Sequence, residues 1–132
     1  MRSMKTIVAE IESELTPGTI IPHPRNRADF TFKGWGIRRG ERALIYSIPN
    51  RNRPSKPYQK GITVSDWIQA FKRLVDYGDF SRSWFKGSMP MCSKEGNCNF
   101  TTIGGVFELL GYATYIHGTY RAKKTISDVC DK

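Results

Sequence analysis

The chain of 132 residues is 39% hydrophobic and 12% aromatic with no low-complexity tract, which excludes disorder throughout and predicts one domain able to bury roughly two-thirds of its unfolded surface. Its net charge of +9 excludes a charge-balanced surface, and the excess is local: residues 19–62 carry 10 basic and 2 acidic groups, whereas 1–18, 63–98 and 99–132 sum to −1, +1 and +1. No apolar run reaches the roughly 18 residues of a membrane span and the three cysteines suit a reducing compartment, so a cytoplasmic protein without a membrane partner is expected.

In chain order, Ile7, Val8, Ile11 and Leu15 fall on one face of a helix whose other face holds Glu10, Glu12 and Glu14, and Pro17-Gly18 ends it. This helix is expected to cover a sheet. The segment TIIPHPRNRAD reads as a connector held extended by Pro22 and Pro24, with Arg25 and Arg27 exposed. Residues 30–37 and 42–48 read as a hairpin turning at Arg38-Arg39-Gly40-Glu41. Phe30 and Phe32 share a face while Trp35 and Ile37 have the opposite parity, which predicts a bulge at Gly34 or Gly36 that restores the apolar face. Residues 49–61, rich in proline and basic side chains and without apolar periodicity, read as a loop or arm.

Thr63 and Asp66 are spaced as a capping box, and Trp67, Ile68, Phe71, Leu74 and Val75 describe an amphipathic helix ending at Tyr77-Gly78. Residues 79–86 read as a short second helix closed by Gly87 and Pro90, followed by an irregular loop holding Cys92 and Cys98. A helix over 101–110, capped by Asn99 or Thr101 and ended by Gly111, precedes a hairpin over 112–123 that turns at His117-Gly118. The expected fold class is therefore α+β, with an N-terminal helix and a bulged β-hairpin packed on a three-helix unit that carries a C-terminal β-hairpin. A single domain spans 1–132: helix, basic hairpin and arm to 62, the helical unit over 63–124, and a tail over 125–132.

The order of elements over 63–124 resembles a winged helix-turn-helix, a likeness covering about half the chain. It implies that the helix over 101–110 is a recognition helix and the hairpin a wing. The sequence departs from that pattern in the long connection from Gly87 to Cys98 and in a helix without the Arg, Lys, Asn or Gln that read base edges. Gly104, Gly105 and Glu108 instead share the face opposite Ile103, Val106 and Leu110. Glycine in a helix costs about 1 kcal/mol relative to alanine, so the pair predicts a close approach by a neighbouring element, a second subunit or a ligand. Glu108 is expected to pair with an arginine or a hydroxyl.

Two functional expectations follow, from different classes. The leading one is non-enzymatic nucleic-acid binding by the hairpin and arm through Arg38, Arg39, Arg42, Arg51, Arg53, Lys56 and Lys60, joined by the wing residues Arg121, Lys123 and Lys124. Guanidinium groups offer phosphate bidentate donors, the interleaved Tyr46 and Tyr58 suit stacking on bases, and prolines pre-extend the arm. The alternative is an accessory protein that forms a homodimer or binds a partner through Gly104, Gly105 and Glu108. The chain holds no P-loop, G-x-S-x-G or H-E-x-x-H, so no catalytic residue and no cofactor is assigned, and a small nuclease is a distant third. Cys92 and Cys98 form C-x5-C, which lacks zinc-ligand spacing and reads as free thiols. The segments WGIRRGERALIYSIPN and CNFTTIGGVFELLGYATY resemble small bacterial proteins of the kind carried on mobile integron gene cassettes. That resemblance, over residues 34–124, implies a bacterial accessory role and, because such proteins share no common activity, transfers no functional residue.

Overall fold

The structure, a computed structural model, describes residues 6–25 and 29–123. An N-terminal helix α1 (Thr6–Glu14) is followed by strands β1 (Ile20–Ile21), β2 (Phe30–Arg38), β3 (Glu41–Ile48) and β4 (Tyr58–Thr63), which form an antiparallel sheet in that order. Helix α2 (Val64–Tyr77) leads to β5 (Asp79–Ser81), α3 (Arg82–Ser88), α4 (Pro90–Glu95), α5 (Cys98–Leu109), β6 (Ala113–Ile116) and β7 (Thr119–Ala122). A second antiparallel sheet runs β5-β7-β6. The class is α+β, as expected.

The β2–β3 hairpin closes through Arg39 and Gly40 at φ 50° and 74°, a two-residue turn with both residues left-handed, which matches the twist of the strands. Register shifts between Phe32 and Gly34, so Lys33 is the extra residue of a bulge and Gly34 takes φ 137°. Phe32 then lies opposite Tyr46, Trp35 opposite Leu44 and Ile37 opposite Arg42, which returns the apolar residues to one face. The bulge therefore sits at the first of the two expected glycines. The same turn geometry recurs at His117 and Gly118, φ 48° and 83°, between β6 and β7.

Thr63 and Asp66 form the expected capping box: Asp66 N–H donates to Thr63 Oγ1 at 3.2 Å and Thr63 N–H to Asp66 Oδ2 at 3.4 Å. At the other end Gly78 takes φ 80° and donates its N–H to the Leu74 carbonyl at 2.8 Å. Between the caps, Trp67, Ala70, Phe71 and Leu74 are buried. Because the cap hydroxyl satisfies a donor that has no other partner in a fully buried position, Thr63→Ala should cost about 1–2 kcal/mol, read as a lower urea midpoint at unchanged m-value.

Several elements differ from the sequence reading. The connector contains β1, and the proposed arm contains β4, an edge strand whose inward position Lys60 carries its ammonium out to the Glu95 carbonyl at 3.1 Å. The expected helix over 79–86 begins as β5, with Phe80 opposite Tyr120 on β7, and becomes helical only at Arg82, where Ser81 Oγ accepts the Trp84 N–H at 3.2 Å. Part of the expected irregular loop is α4, opened by Pro90 at its first turn. The unit therefore has four helices, and α1 lies chiefly against α2 rather than against a sheet.

Helix α5 runs between the two sheets and is buried from Asn99 through Phe107. It ends in a Schellman motif, with Gly111 N–H on the Glu108 carbonyl, Tyr112 N–H on the Phe107 carbonyl, and Gly111 at φ 81°. Phe80 joins it to the second sheet, with ring centroids 5.0 Å from Phe100 and 5.9 Å from Phe107. A helix buried over that span cannot enter a DNA groove. The recognition-helix reading of residues 101–110 is thus incompatible with the fold.

Candidate functional site

Of the ten basic residues singled out in the sequence, nine lie among the described residues, and several of these are tied to partners within the chain. Arg39 reaches inward: its Nε and Nη2 donate to Glu95 at 2.9 and 3.2 Å, and Nη2 also meets Asp66 Oδ2 at 2.5 Å. Burial works against its charge, but the bonds to Glu95 and the charge of Asp66 outweigh that and raise its pKa. Arg42 pairs with Glu12 of α1 at 3.2 Å and stacks over the Trp35 ring at 4.1 Å. Arg38 lays its stem across Gly61 and donates to the Ile37 carbonyl at 2.9 Å. Lys60 is tied to Glu95, as above.

Arg53 and Lys56 are exposed, but their loop is not an extended arm. Asn50 Oδ1 accepts the N–H groups of Asn52 and Arg53, Asn50 Nδ2 donates to the Lys56 carbonyl, and Lys56 N–H closes onto the Arg53 carbonyl. This folded loop replaces the pre-extended chain that the prolines suggested. Arg121, exposed on β7, lies opposite Asp79 and Thr114 on the face of the second sheet away from Tyr120, and Lys123 is exposed just beyond the strand. Lys124 lies outside the described residues.

Of the nine that lie among the described residues, Arg51 lines a cleft of about 750 Å³. One wall comes from the loop after β1, with His23, Pro24 and Arg25, and from Phe30 at the start of β2. The other side is built by Arg82 and Lys86 of α3, Asn97, Cys98 and Thr101 at the start of α5, and Tyr115 of β6. Among the described residues four cations face this space and no carboxylate lines it. Among the described residues none of the four is in an ion pair, in contrast to Arg39 and Arg42. Arg82 is nevertheless fixed, by a 3.1 Å hydrogen bond to the Asn97 carbonyl and by the Phe100 ring 4.6 Å away. Neutral partners hold its position and leave its charge uncompensated.

The cleft's shape traces to the two glycines of α5. A Cβ on Gly105 would stand 2.2 Å from the Pro22 carbonyl oxygen, so its absence lets the His23–Arg25 wall close onto the helix. A Cβ on Gly104 would stand 2.0 Å from Tyr120, whose ring packs edge-on against Tyr115 at 5.0 Å. The close approach expected of the pair is therefore real, but both partners belong to the same chain. Gly104 and Gly105 are filled from within and cannot form an interface, and Glu108 accepts the Tyr115 N–H at 3.2 Å instead of an arginine or hydroxyl.

Behind the cleft lies a polar network. Tyr46 donates its hydroxyl proton to Asn99 Oδ1 at 2.6 Å, which leaves the Cys98 thiol, 3.1 Å away, to donate to the Tyr46 oxygen. Asn99 Nδ2 donates in turn to the Cys92 carbonyl at 2.9 Å. Burial pushes the Tyr46 hydroxyl and the Cys92 thiol well above their ordinary ranges, so both stay neutral. Cys92 and Cys98 are free thiols, and no group of three or more His, Cys, Asp or Glu among the described residues is placed to hold a metal ion.

Sequence reasoning assigned none of Arg82, Lys86, His23, Asn97 and Tyr115 to nucleic-acid binding and read Arg25 only as exposed. Arg82 and Lys86 are four apart on α3 and so share a helix face, yet that signal lies in a segment whose net charge is only +1. Comparison with protein-family models, with curated proteins and with solved structures finds no match. No helix among the described residues is long and apolar enough to cross a membrane.

Proposed function

We propose that this protein binds nucleic acid without catalysing a reaction, and that it does so through the cleft rather than through the hairpin and arm. The observation that carries the reading is the cleft lining: Arg25, Arg51, Arg82 and Lys86 converge on one concavity with no carboxylate among the described lining residues. Cations held that way raise the local concentration of a polyanion and release its counterions on contact. Arginine supplies three of the four positive charges, which suits bidentate phosphate contact.

The test is the salt dependence of binding to a labelled oligonucleotide, followed by fluorescence anisotropy. Log Kobs against log salt should fall with a slope of about −0.7 per phosphate on a single strand or −0.9 on a duplex. Arg51→Gln and Arg82→Gln should each flatten it by a little under one unit. Arg121→Gln, on the far face of the second sheet, should leave the slope unchanged. Absence of binding at low salt, or equal effects of all three substitutions, removes the proposal.

A further inference from the structure

We infer that the cleft takes unpaired nucleotides, with bases against its aromatic walls and phosphates on its arginines, so that the protein prefers a single strand to a duplex. This rests on the nucleic-acid reading above and adds strandedness to it. The cations and the rings share one recess: Tyr115 and His23 are half-buried side chains in the same lining as Arg51 and Arg82. In a duplex the bases are paired and stacked on each other, so rings set inside a recess cannot reach their faces, whereas a single strand offers a free π-face with every base.

Both rings are held before any ligand arrives. His23 packs edge-on against Phe30 with centroids 5.4 Å apart, and Phe30 stacks on buried Tyr46 at 5.8 Å. Tyr115 is braced by Tyr120 and by its own N–H bond to Glu108. Side chains already fixed lose little freedom when a base stacks on them, which favours binding. Arg82 is fixed in the same sense, and the Asn97 side chain, which makes no capping bond, leaves amide donors and an acceptor at the mouth for a base edge.

Size and the surrounding fold point the same way. The volume of about 750 Å³ lies within the range of about 300–1,000 Å³ usual for ligand pockets, room for roughly one or two nucleotides and not for a duplex segment. The element that a duplex reader of this topology would insert into the major groove, α5, is buried. Duplex contact would be left to dispersed or internally paired cations such as Arg121 and Arg42.

Competition at one salt concentration tests this. A labelled oligothymidylate of about ten nucleotides, within the site sizes usual for single-strand binders, is displaced from the full chain by the unlabelled strand, by a blunt duplex of the same length, or by thymidine monophosphate. The strand should compete at least tenfold better than the duplex. Tyr115→Leu should weaken strand binding about tenfold with little effect on the duplex, and Tyr115→Phe should restore it. His23→Ala, on the loop after β1, gives the same comparison independently of the packing of Tyr115 on Tyr120. A duplex that competes as well as the strand overturns the inference while leaving the cleft reading in place. A mononucleotide that competes as well as the strand overturns it too, since the site then serves a free nucleotide. If neither nucleic acid binds, both readings fall.

Discussion

Gly105→Ala is expected to destabilise the protein by roughly 2 kcal/mol or more, although the change favours an isolated helix. Helix propensity alone would reward alanine by about 1 kcal/mol. Against that, the new methyl would lie 2.2 Å from the Pro22 carbonyl oxygen and 2.8 Å from Ile21 Cγ2. The first of these is main chain, held by pairing of Ile21 with Phe30, so the clash cannot be relieved by a rotamer change. Forcing a carbon into a packed core costs about 1–3 kcal/mol where side chains yield, and more where backbone must move. Gly104→Ala meets the ring of Tyr120, which is fully buried against Phe100 and Phe80, and should lose a comparable amount.

Gly87 is the internal control. It lies in α3 with nothing within 4 Å of its Cβ position, so Gly87→Ala should be neutral or stabilising by up to about 1 kcal/mol. Urea midpoints of the three variants decide the matter. An α5 alanine as stable as the parent would mean that the helix does not approach β1 and β7 as described. The site should respond as well, because Pro22 opens the wall that carries His23 and Arg25. Pushing that wall off α5 should weaken oligonucleotide binding in Gly105→Ala under conditions where the variant remains folded.

Periodicity revealed the elements whose apolar faces are made locally. The stripe from Trp67 to Leu74 with its caps, the register break after Phe32 and both left-handed turns were legible because each rests on residues within a few positions of one another. β4 and β5 were hidden for a different reason. Lys60 faces inward yet is charged, and Phe80 sits in a three-residue strand that exists only because Tyr120 pairs with it some forty positions later. The bare charge count failed likewise: a run of arginines predicts a patch only if their partners are unknown, and Glu12, Asp66 and Glu95 lie far away in sequence. The cleft draws on positions 25, 51, 82 and 86, a set that only the folded chain brings together.

The inward turn of Arg39 carries the second large effect. Arg39→Met should cost about 2 kcal/mol, with the loss arising at its partners rather than at the arginine. Asp66 has only 8% of its side chain exposed and also accepts the Thr63 N–H, so without Arg39 a carboxylate that also caps α2 is left in a poorly solvated place with no cation. Breaking a buried pair from one side typically costs about 3–5 kcal/mol. Here Arg39 is 27% and Glu95 35% exposed, so water recovers part of that. Asp66→Asn should cost less, because an amide oxygen still accepts from Thr63, and the double variant Arg39→Met/Asp66→Asn should lose less than the sum of the two. The exposed Lys72–Asp76 pair, at 65% and 42%, should show a much weaker coupling and lose it in high salt. A coupling at Arg39–Asp66 no larger than this, or equally salt-sensitive, would contradict the inward placement. The same variant separates stability from binding: since Arg39 serves the hairpin, α2 and α4 and not the cleft, folded Arg39→Met should bind oligonucleotide with the parent's salt slope, whereas Arg82→Gln should flatten the slope while costing little stability.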